Sequence, residues 1–133
     1  MKLNGDITSV LDASALMALV NNESGAEMVE AYLAKACMST LNFTEVLSKM
    51  VERGVAAIEA KRALDHFNLE LIPFEQSQIL GVSLLRLETK QYGLSLGDRV
   101  CLNLGKMLKL PVLTSDQAWQ KIADPGISVL LIR

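Results

Sequence analysis

Histidine is almost missing from this 133-residue chain, with His66 its single example. That excludes zinc centres built from several imidazoles. No Ser or Cys nucleophile stands near His66, which argues against a catalytic triad. Cysteine is scarce too: Cys37 and Cys101 are isolated, outside any CxxC or metal-ligand spacing. Both read as small buried apolar groups in a reducing compartment. Neither charge sign dominates, since 13 Lys and Arg face 15 Asp and Glu, for a net charge of −2. That balance argues against nucleic-acid binding driven by charge alone. No apolar run approaches the roughly 20 residues of a membrane-spanning helix. The start, Met1-Lys-Leu-Asn-Gly-Asp6, has no apolar stretch ahead of a cleavage site, so neither a signal peptide nor a membrane is expected and the location reads as cytoplasmic. The phosphate-binding patterns GxxxxGK[ST] and GxGxxG are also missing. What is abundant is apolar material: 50% of residues are hydrophobic and 21% charged. That suffices for the core of one domain spanning 1–133. Any chemistry must rest mainly on carboxylates.

Strand and helix patterns alternate along the chain. Ile7 to Leu11 is short, mostly apolar and β-branched, and reads as a strand buried on both faces. Helical patterns follow at Ala13–Val20 and at Ala26–Lys35, then a short strand at Ala36–Ser39. A third helix is expected from Asn42 to Arg53, with Gly54 in a left-handed cap. Next come a helix at Ala56–Phe67, a strand at Leu69–Ile72 stopped by Pro73, and one long helix from Glu75 to Gln91. That last stretch carries a broad apolar face of Ile79, Leu80, Val82, Leu84, Leu85 and Leu87. Leu96–Leu108 reads as a helix, 111–114 as a strand, Gln117–Ala123 as a short helix and Ile127–Ile132 as the closing strand. The alternation predicts a parallel sheet with helices on both faces. Right-handed crossovers then place all strand C-termini along one edge, where such folds bind ligands.

Four acids fall on that edge. Asp12 directly follows the first strand and Asp116 the strand at 111–114. Glu45 sits in the expected first turn of the helix after Cys37, and Asp98 in the first turn after Ser95. Each has a plain structural explanation. Asp12 and Asp116 immediately precede helices and fit as N-caps. Asn42-x-x-Glu45 and Ser95-x-x-Asp98 both fit a capping box. The joint pattern points further, because four converging carboxylates repel one another unless cations stand between them. Hard oxygen ligands suit Mg²⁺ or Mn²⁺ rather than zinc. Such an ion serves phosphoryl chemistry.

In order, the segments Val10-Leu-Asp-Ala-Ser-Ala-Leu16, Asn42-Phe-Thr-Glu-Val-Leu-Ser-Lys49, Gly93-Leu-Ser-Leu-Gly-Asp-Arg99 and Pro111-Val-Leu-Thr-Ser-Asp-Gln-Ala-Trp119 resemble the four acidic motifs of PIN-domain ribonucleases. The likeness is nearest to VapC-type toxins of bacterial toxin–antitoxin pairs and covers essentially the whole chain. It implies a PIN-like three-layer α/β/α domain around a parallel sheet. It also implies a Mg²⁺- or Mn²⁺-dependent endoribonuclease whose metal-binding acids fall on Asp12, Glu45, Asp98 and Asp116. The family's small hydroxyl residues fall on Ser14 and Thr114, as orienting partners of the carboxylates. Hydrolysis by water would leave 5′-phosphate and 3′-hydroxyl ends. A small antitoxin is the implied partner, inserting into the groove over the acids, and a homodimer is expected.

Other residues have two readings each. Glu45, Lys49 and Arg53 recur every four residues on one helix face, as plain ion pairing would require. Alternatively, Lys49 and Arg53 hold RNA phosphate beside the acids. Arg99 reads as a solvated surface arginine or a third phosphate contact. Trp119 suits packing better than base stacking. Met28, Tyr32, Met38 and Met50 read as core, with any exposed subset suited to a dimer or antitoxin surface. Rival functions are a housekeeping RNA-processing nuclease, a receiver-like signalling domain and a non-catalytic interaction module. The receiver reading lacks its acid pair after the first strand, where Asp12 is followed by Ala-Ser, and lacks a lysine in Thr114-Ser-Asp116.

Overall fold

The computed structural model describes residues 5–133; the first four, part of the segment read above for a signal peptide, lie outside the described residues. Five short strands form one sheet: β1 (Ser9–Leu11), β2 (Ala36–Ser39), β3 (Glu70–Ile72), β4 (Val112–Thr114) and β5 (Val129–Leu131). Their order across the sheet is β3-β2-β1-β4-β5, and every pairing is parallel. Val10 is in register with Cys37 on one side and with Val112 on the other. The chain leaves β1 toward β2 and β3, then returns to lay β4 on β1's opposite side. The topological switch is therefore between β1 and β4.

Six helices cover the sheet: α1 (Ala13–Val20), α2 (Ala26–Leu33), α3 (Thr40–Glu52), α4 (Ala57–Asp65), α5 (Ile79–Thr89) and α6 (Leu96–Leu108). Strand alternation divides the core into two clusters. Leu11, Met38 and Leu113 pack with Leu16 of α1, Val29 of α2, Val46 of α3 and Leu64 of α4. Val10, Cys37 and Val112 face the other way, against Leu85 of α5, Cys101 and Leu104 of α6, and Trp119. The result is the three-layer α/β/α arrangement that the alternation implied. Among the described residues, no helix is long and apolar enough to cross a membrane.

Several boundaries differ from the sequence reading. The first strand begins at Ser9, and the closing strand is trimmed to Val129–Leu131. Helix α3 starts two residues early, because Ser39 accepts the Leu41 N–H as its N-cap. Gly54 takes the left-handed conformation expected of it, with φ 98°. The expected helix 75–91 is interrupted at both ends by 3₁₀ turns at 76–78 and 90–92, leaving α5 between them. Its apolar face is the larger correction. Only Val82 and Leu85 are buried, whereas Leu80 is 71% and Leu87 82% exposed, with Ile79 and Leu84 also exposed. The helix packs along one narrow stripe, mainly against α6, so three of its four leucines face outward. The short helix after Asp116 is a 3₁₀ helix over Gln117–Lys121.

Candidate active site

Asp12 ends β1 at the switch point and caps α1. Its Oδ1 accepts from the Ala15 N–H at 2.8 Å and from Ser14 Oγ at 2.7 Å. Its Oδ2 accepts from Thr114 Oγ1, at the end of β4, at 2.6 Å. The same two hydroxyls are tied to the opposite strand. Thr114 Oγ1 accepts from the Asp116 N–H at 3.0 Å, and Ser14 Oγ accepts from the Ser115 N–H at 2.9 Å. Two hydroxyl groups thus lock the first acid and the backbone leading to the last acid into one network. Asp12 is only 4% exposed. Burial pushes its carboxyl from 3.8 up to about 6, against the opposing bonds from Thr114, Ser14 and Ala15, and the charge of Asp98 adds to the rise.

Asp98 stands at the third position of α6, where Ser95 caps the helix. Its Oδ2 accepts from the Ser95 N–H at 2.9 Å, while Ser95 Oγ accepts from the Asp98 N–H at 3.1 Å. This capping box is the one the spacing predicted. Asp116 caps the 3₁₀ helix through its Oδ1, which accepts from the Ala118 N–H at 3.0 Å. Glu45 departs from its capping expectation. With Ser39 as the N-cap, Glu45 falls in the second turn of α3 and has no capping role. Its Oε1 instead accepts from Asn42 Nδ2 at 2.9 Å. That amide also donates to the Gly97 carbonyl of α6 at 2.9 Å.

A common pattern runs through the last three acids. Each has one oxygen held by a neutral N–H, while Asp98 Oδ1, Asp116 Oδ2 and Glu45 Oε2 have no hydrogen bond to the protein. Three of the acids lie close enough to the buried thiol of Cys101 for their charges to act on it; its Sγ lies 3.6 Å from the Leu11 carbonyl oxygen. Burial first, then the charges of Asp12, Asp98 and Glu45, push that thiol well above its ordinary value. Asp116 is exposed and reaches the group only through Thr114. Among the described residues, no three Asp, Glu, His or Cys side chains form a ready-made metal cage. The donors fit a hard ion all the same. They are carboxylate oxygens, with one oxygen free of hydrogen bonds on each of three groups. Mg²⁺ takes one or two carboxylates and keeps several waters rather than filling a protein cage.

The basic residues sort differently from their expected roles. No ion pair among the described residues involves Glu45, Lys49 or Arg53, so the i,i+4 pairing along α3 does not form. Lys49 and Arg53 are exposed and line a cleft of about 170 Å³ together with Ser14. Arg99 is not a freely solvated arginine, since its guanidinium donates to the Val82 carbonyl at 3.1 Å and fastens α6 to α5. Trp119 is buried in the second core cluster, as packing required, and Met38 lies in the first. Asn42 and Gly97 are the site residues that motif spacing undervalued. The available signal was a polar Asn within the buried stripe of α3, beside Phe43 and Val46.

A model of the PIN domain matches residues 9–125. Among solved structures, the chain is similar to DNA-bound VapBC from Salmonella typhimurium, with a TM-score of 0.74 at 17% identity, covering 96% of this chain and 99% of that one. VapBC2 from Rickettsia felis, bound to a DNA fragment from its promoter, gives a TM-score of 0.73 at 17% identity over 94% and 98% of the two chains. VapBC-1 from nontypeable Haemophilus influenzae gives 0.71 at 18% identity over 95% and 98%. No curated protein sequence matches the chain. The family model spans both ends of the acid network, from β1 through Asp116, and the chain belongs to the PIN-domain family of nucleases.

Proposed function

We propose that the protein is a Mg²⁺- or Mn²⁺-dependent endoribonuclease acting in the cytoplasm as the toxin of a toxin–antitoxin pair. The observation that carries this reading is Asp12, a carboxylate buried at the switch point against the charge of Asp98. Such a placement costs stability unless a cation compensates it. Asp12, Glu45, Asp98 and Asp116 would hold the ion. When bound, it supplies charge for the phosphate oxygens and acidifies a water. The chain's own residues do the rest. Ser14 and Thr114 fix Asp12, while the helix caps of Asp98 and Asp116 aim those carboxylates with one oxygen outward. Lys49 and Arg53, unpaired and beside Ser14, would draw the RNA phosphates toward the acids. With water as nucleophile the products carry 5′-phosphate and 3′-hydroxyl ends.

The antitoxin partner is supported by the structural likeness to VapBC structures and to a structure described as a toxin–antitoxin complex from Klebsiella pneumoniae. An arginine of that partner would approach the carboxylates. A homodimer is supported by α5, where Leu80, Leu84 and Leu87 form an exposed apolar row that a second copy would cover. The test is direct. Protein freed of partner should cut single-stranded RNA with Mg²⁺ or Mn²⁺, stop with EDTA, and arrest growth when expressed alone. Cleavage that survives complete metal removal defeats the mechanism. Normal growth with abundant active protein would move the role to housekeeping RNA processing.

A further inference from the structure

Asn42 occupies a position where a polar side chain is costly. It is 1% exposed, on the stripe of α3 that buries Phe43 and Val46. It is not needed to start the helix, because Ser39 does that. Both hydrogens of its amide are spent at the site, one on Glu45 Oε1 and one on the Gly97 carbonyl, each at 2.9 Å. These two acceptors also fix which way the amide points, since the flipped form would set oxygen against oxygen twice. Its own Oδ1 is left buried without a partner.

Gly97 completes the arrangement from the other side. A Cβ on Gly97 would stand 2.6 Å from Glu45 Oε2, and closer still to Oε1. The Glu45 carboxylate therefore lies directly on the backbone of α6, one residue before Asp98. A lysine or arginine in place of Asn42 would also hold Glu45, but its charge would compete with a cation. An aspartate would repel Glu45 at neutral pH. A neutral amide donor orients the carboxylate and leaves its full negative charge, with Oε2 unbonded.

We infer that Asn42 is a positioning residue, holding Glu45 over Gly97 so that Oε2 is set for the divalent ion before the ion arrives. This inference rests on the metal-dependent reading of the site given above. It makes Asn42 act through Glu45 and through nothing else. Partners that orient a metal ligand in this way are worth 10–100-fold in affinity or activity.

The test measures Mn²⁺ binding to the full chain without RNA, by titration calorimetry, in wild type, Asn42→Leu, Glu45→Gln and the double variant. Melting in EDTA confirms that each is folded, and Asn42→Ser carries the test if Asn42→Leu is not. Asn42→Leu should weaken Mn²⁺ binding by about tenfold, and the double variant should bind no more weakly than Glu45→Gln alone. Gly97→Ala, which leaves Asn42 in place but displaces the carboxylate, should reproduce the weakening. RNA cleavage by Asn42→Leu should recover at high Mn²⁺, while that of Glu45→Gln should not. Additive losses in the double variant would overturn the inference, as would wild-type Mn²⁺ affinity in Asn42→Leu while Glu45→Gln binds weakly. If wild type binds no Mn²⁺, or Glu45→Gln leaves binding unchanged, the underlying metal reading fails and the inference falls with it.

Discussion

Replacing Asp12 by Asn separates its two physical roles, helix cap and buried charge. Asn keeps the acceptor oxygen that binds the Ala15 N–H and Ser14 Oγ. Its amide nitrogen then faces Thr114 Oγ1, whose hydroxyl can turn and accept. The cap is retained, because Asn caps about as well as Asp. The charge is lost, and its cost follows from the raised acidity constant. Folded Asp12 titrates at about 6 instead of 3.8. At 1.36 kcal/mol per pH unit this places about 3 kcal/mol against the folded state once the group is ionised. The sign is that of a carboxyl whose folded value is raised: the native state binds the proton more tightly. Wild-type stability without metal should therefore fall as pH rises from about 4 to about 6, then level off. Asp12→Asn lacks this fall. Urea unfolding in EDTA should show the variant gaining on wild type by about 3 kcal/mol across that window. Added Mg²⁺ at pH 7.5 should then stabilise wild type and not the variant, by linkage, and the variant should not cleave RNA. A wild-type-minus-variant difference that is flat from pH 4 to 7.5 would refute the reasoning, whatever the activity.

Thr114→Val removes the hydroxyl that joins Asp12 to the Asp116 N–H; unfolding should show a loss of about 1–3 kcal/mol and cleavage should fall sharply. Lys49→Ala and Arg53→Ala should each raise KM for RNA with kcat nearly intact, and each should reduce the salt dependence of RNA binding by about one phosphate contact. Leu84→Lys on α5 should shift sedimentation from dimer to monomer without lowering the melting temperature of the monomer, since Leu84 contributes little to the folded core; an unchanged dimer would remove α5 as the interface. Lys106 Nζ lies 2.6 Å from Asp124 Oδ2 and holds that carboxyl below its ordinary value. The stability it lends is present above pH 4 and lost as pH falls through the lowered value. Because Lys106 is partly exposed, Lys106→Ala should cost at most about 1 kcal/mol at pH 7 by urea unfolding.

Periodicity revealed most of this fold because its three central strands are buried on both faces and α1, α3 and α6 start at side-chain caps. The limits of α1 and β2 are those read from Ala13–Val20 and Ala36–Ser39. The failures have physical causes. Ser39 is both the last residue of β2 and the N-cap of α3, so the helix starts earlier than the pattern from Asn42 implies and Glu45 lies beyond the first turn, where it has no capping role. The leucines of α5 carry a helical period, but period does not say how much of a helix finds a neighbour. Leu85 packs on the sheet layer, while Leu80 and Leu87 face outward. The i,i+4 spacing of Glu45 with Lys49 offered an ion pair that the structure does not make, since Glu45 turns to Asn42 and Gly97. Arg99 next to Asp98 looked exposed in sequence, whereas the approach of α5 gives its guanidinium the Val82 carbonyl. Contacts between distant segments decided each of these cases, and a linear pattern does not contain them.

Helix cap and metal ligand are alternative readings of the acids in sequence, and on the proposed metal-dependent reading one would serve the other. A carboxylate free in water samples many rotamers, and fixing it at the moment of ion binding costs conformational entropy. A cap removes that freedom during folding. Asp98 gives one oxygen to the Ser95 N–H and Asp116 gives one to the Ala118 N–H, and in both the second oxygen stays unbonded. Glu45, which no helix start restrains, receives the same treatment from Asn42. Asp12 alone has both oxygens occupied, and it is the buried one whose protonation burial favours. On the proposed metal-dependent reading, the three half-free acids would receive a cation with little reorganisation, whereas the ion would have to displace a proton or a hydroxyl bond to engage Asp12. Substitution of a capping partner should accordingly weaken metal binding as well as the helix. Ser95→Ala deletes the hydroxyl that accepts the Asp98 N–H, and so loosens the turn in which the Ser95 N–H holds Asp98 Oδ2, while leaving the Asp98 carboxyl in place. Its stability loss should be about 1 kcal/mol, with Mg²⁺ affinity reduced in the same protein. An affinity equal to wild type, at an unfolding loss of that size, would show that the cap and the ion site act independently.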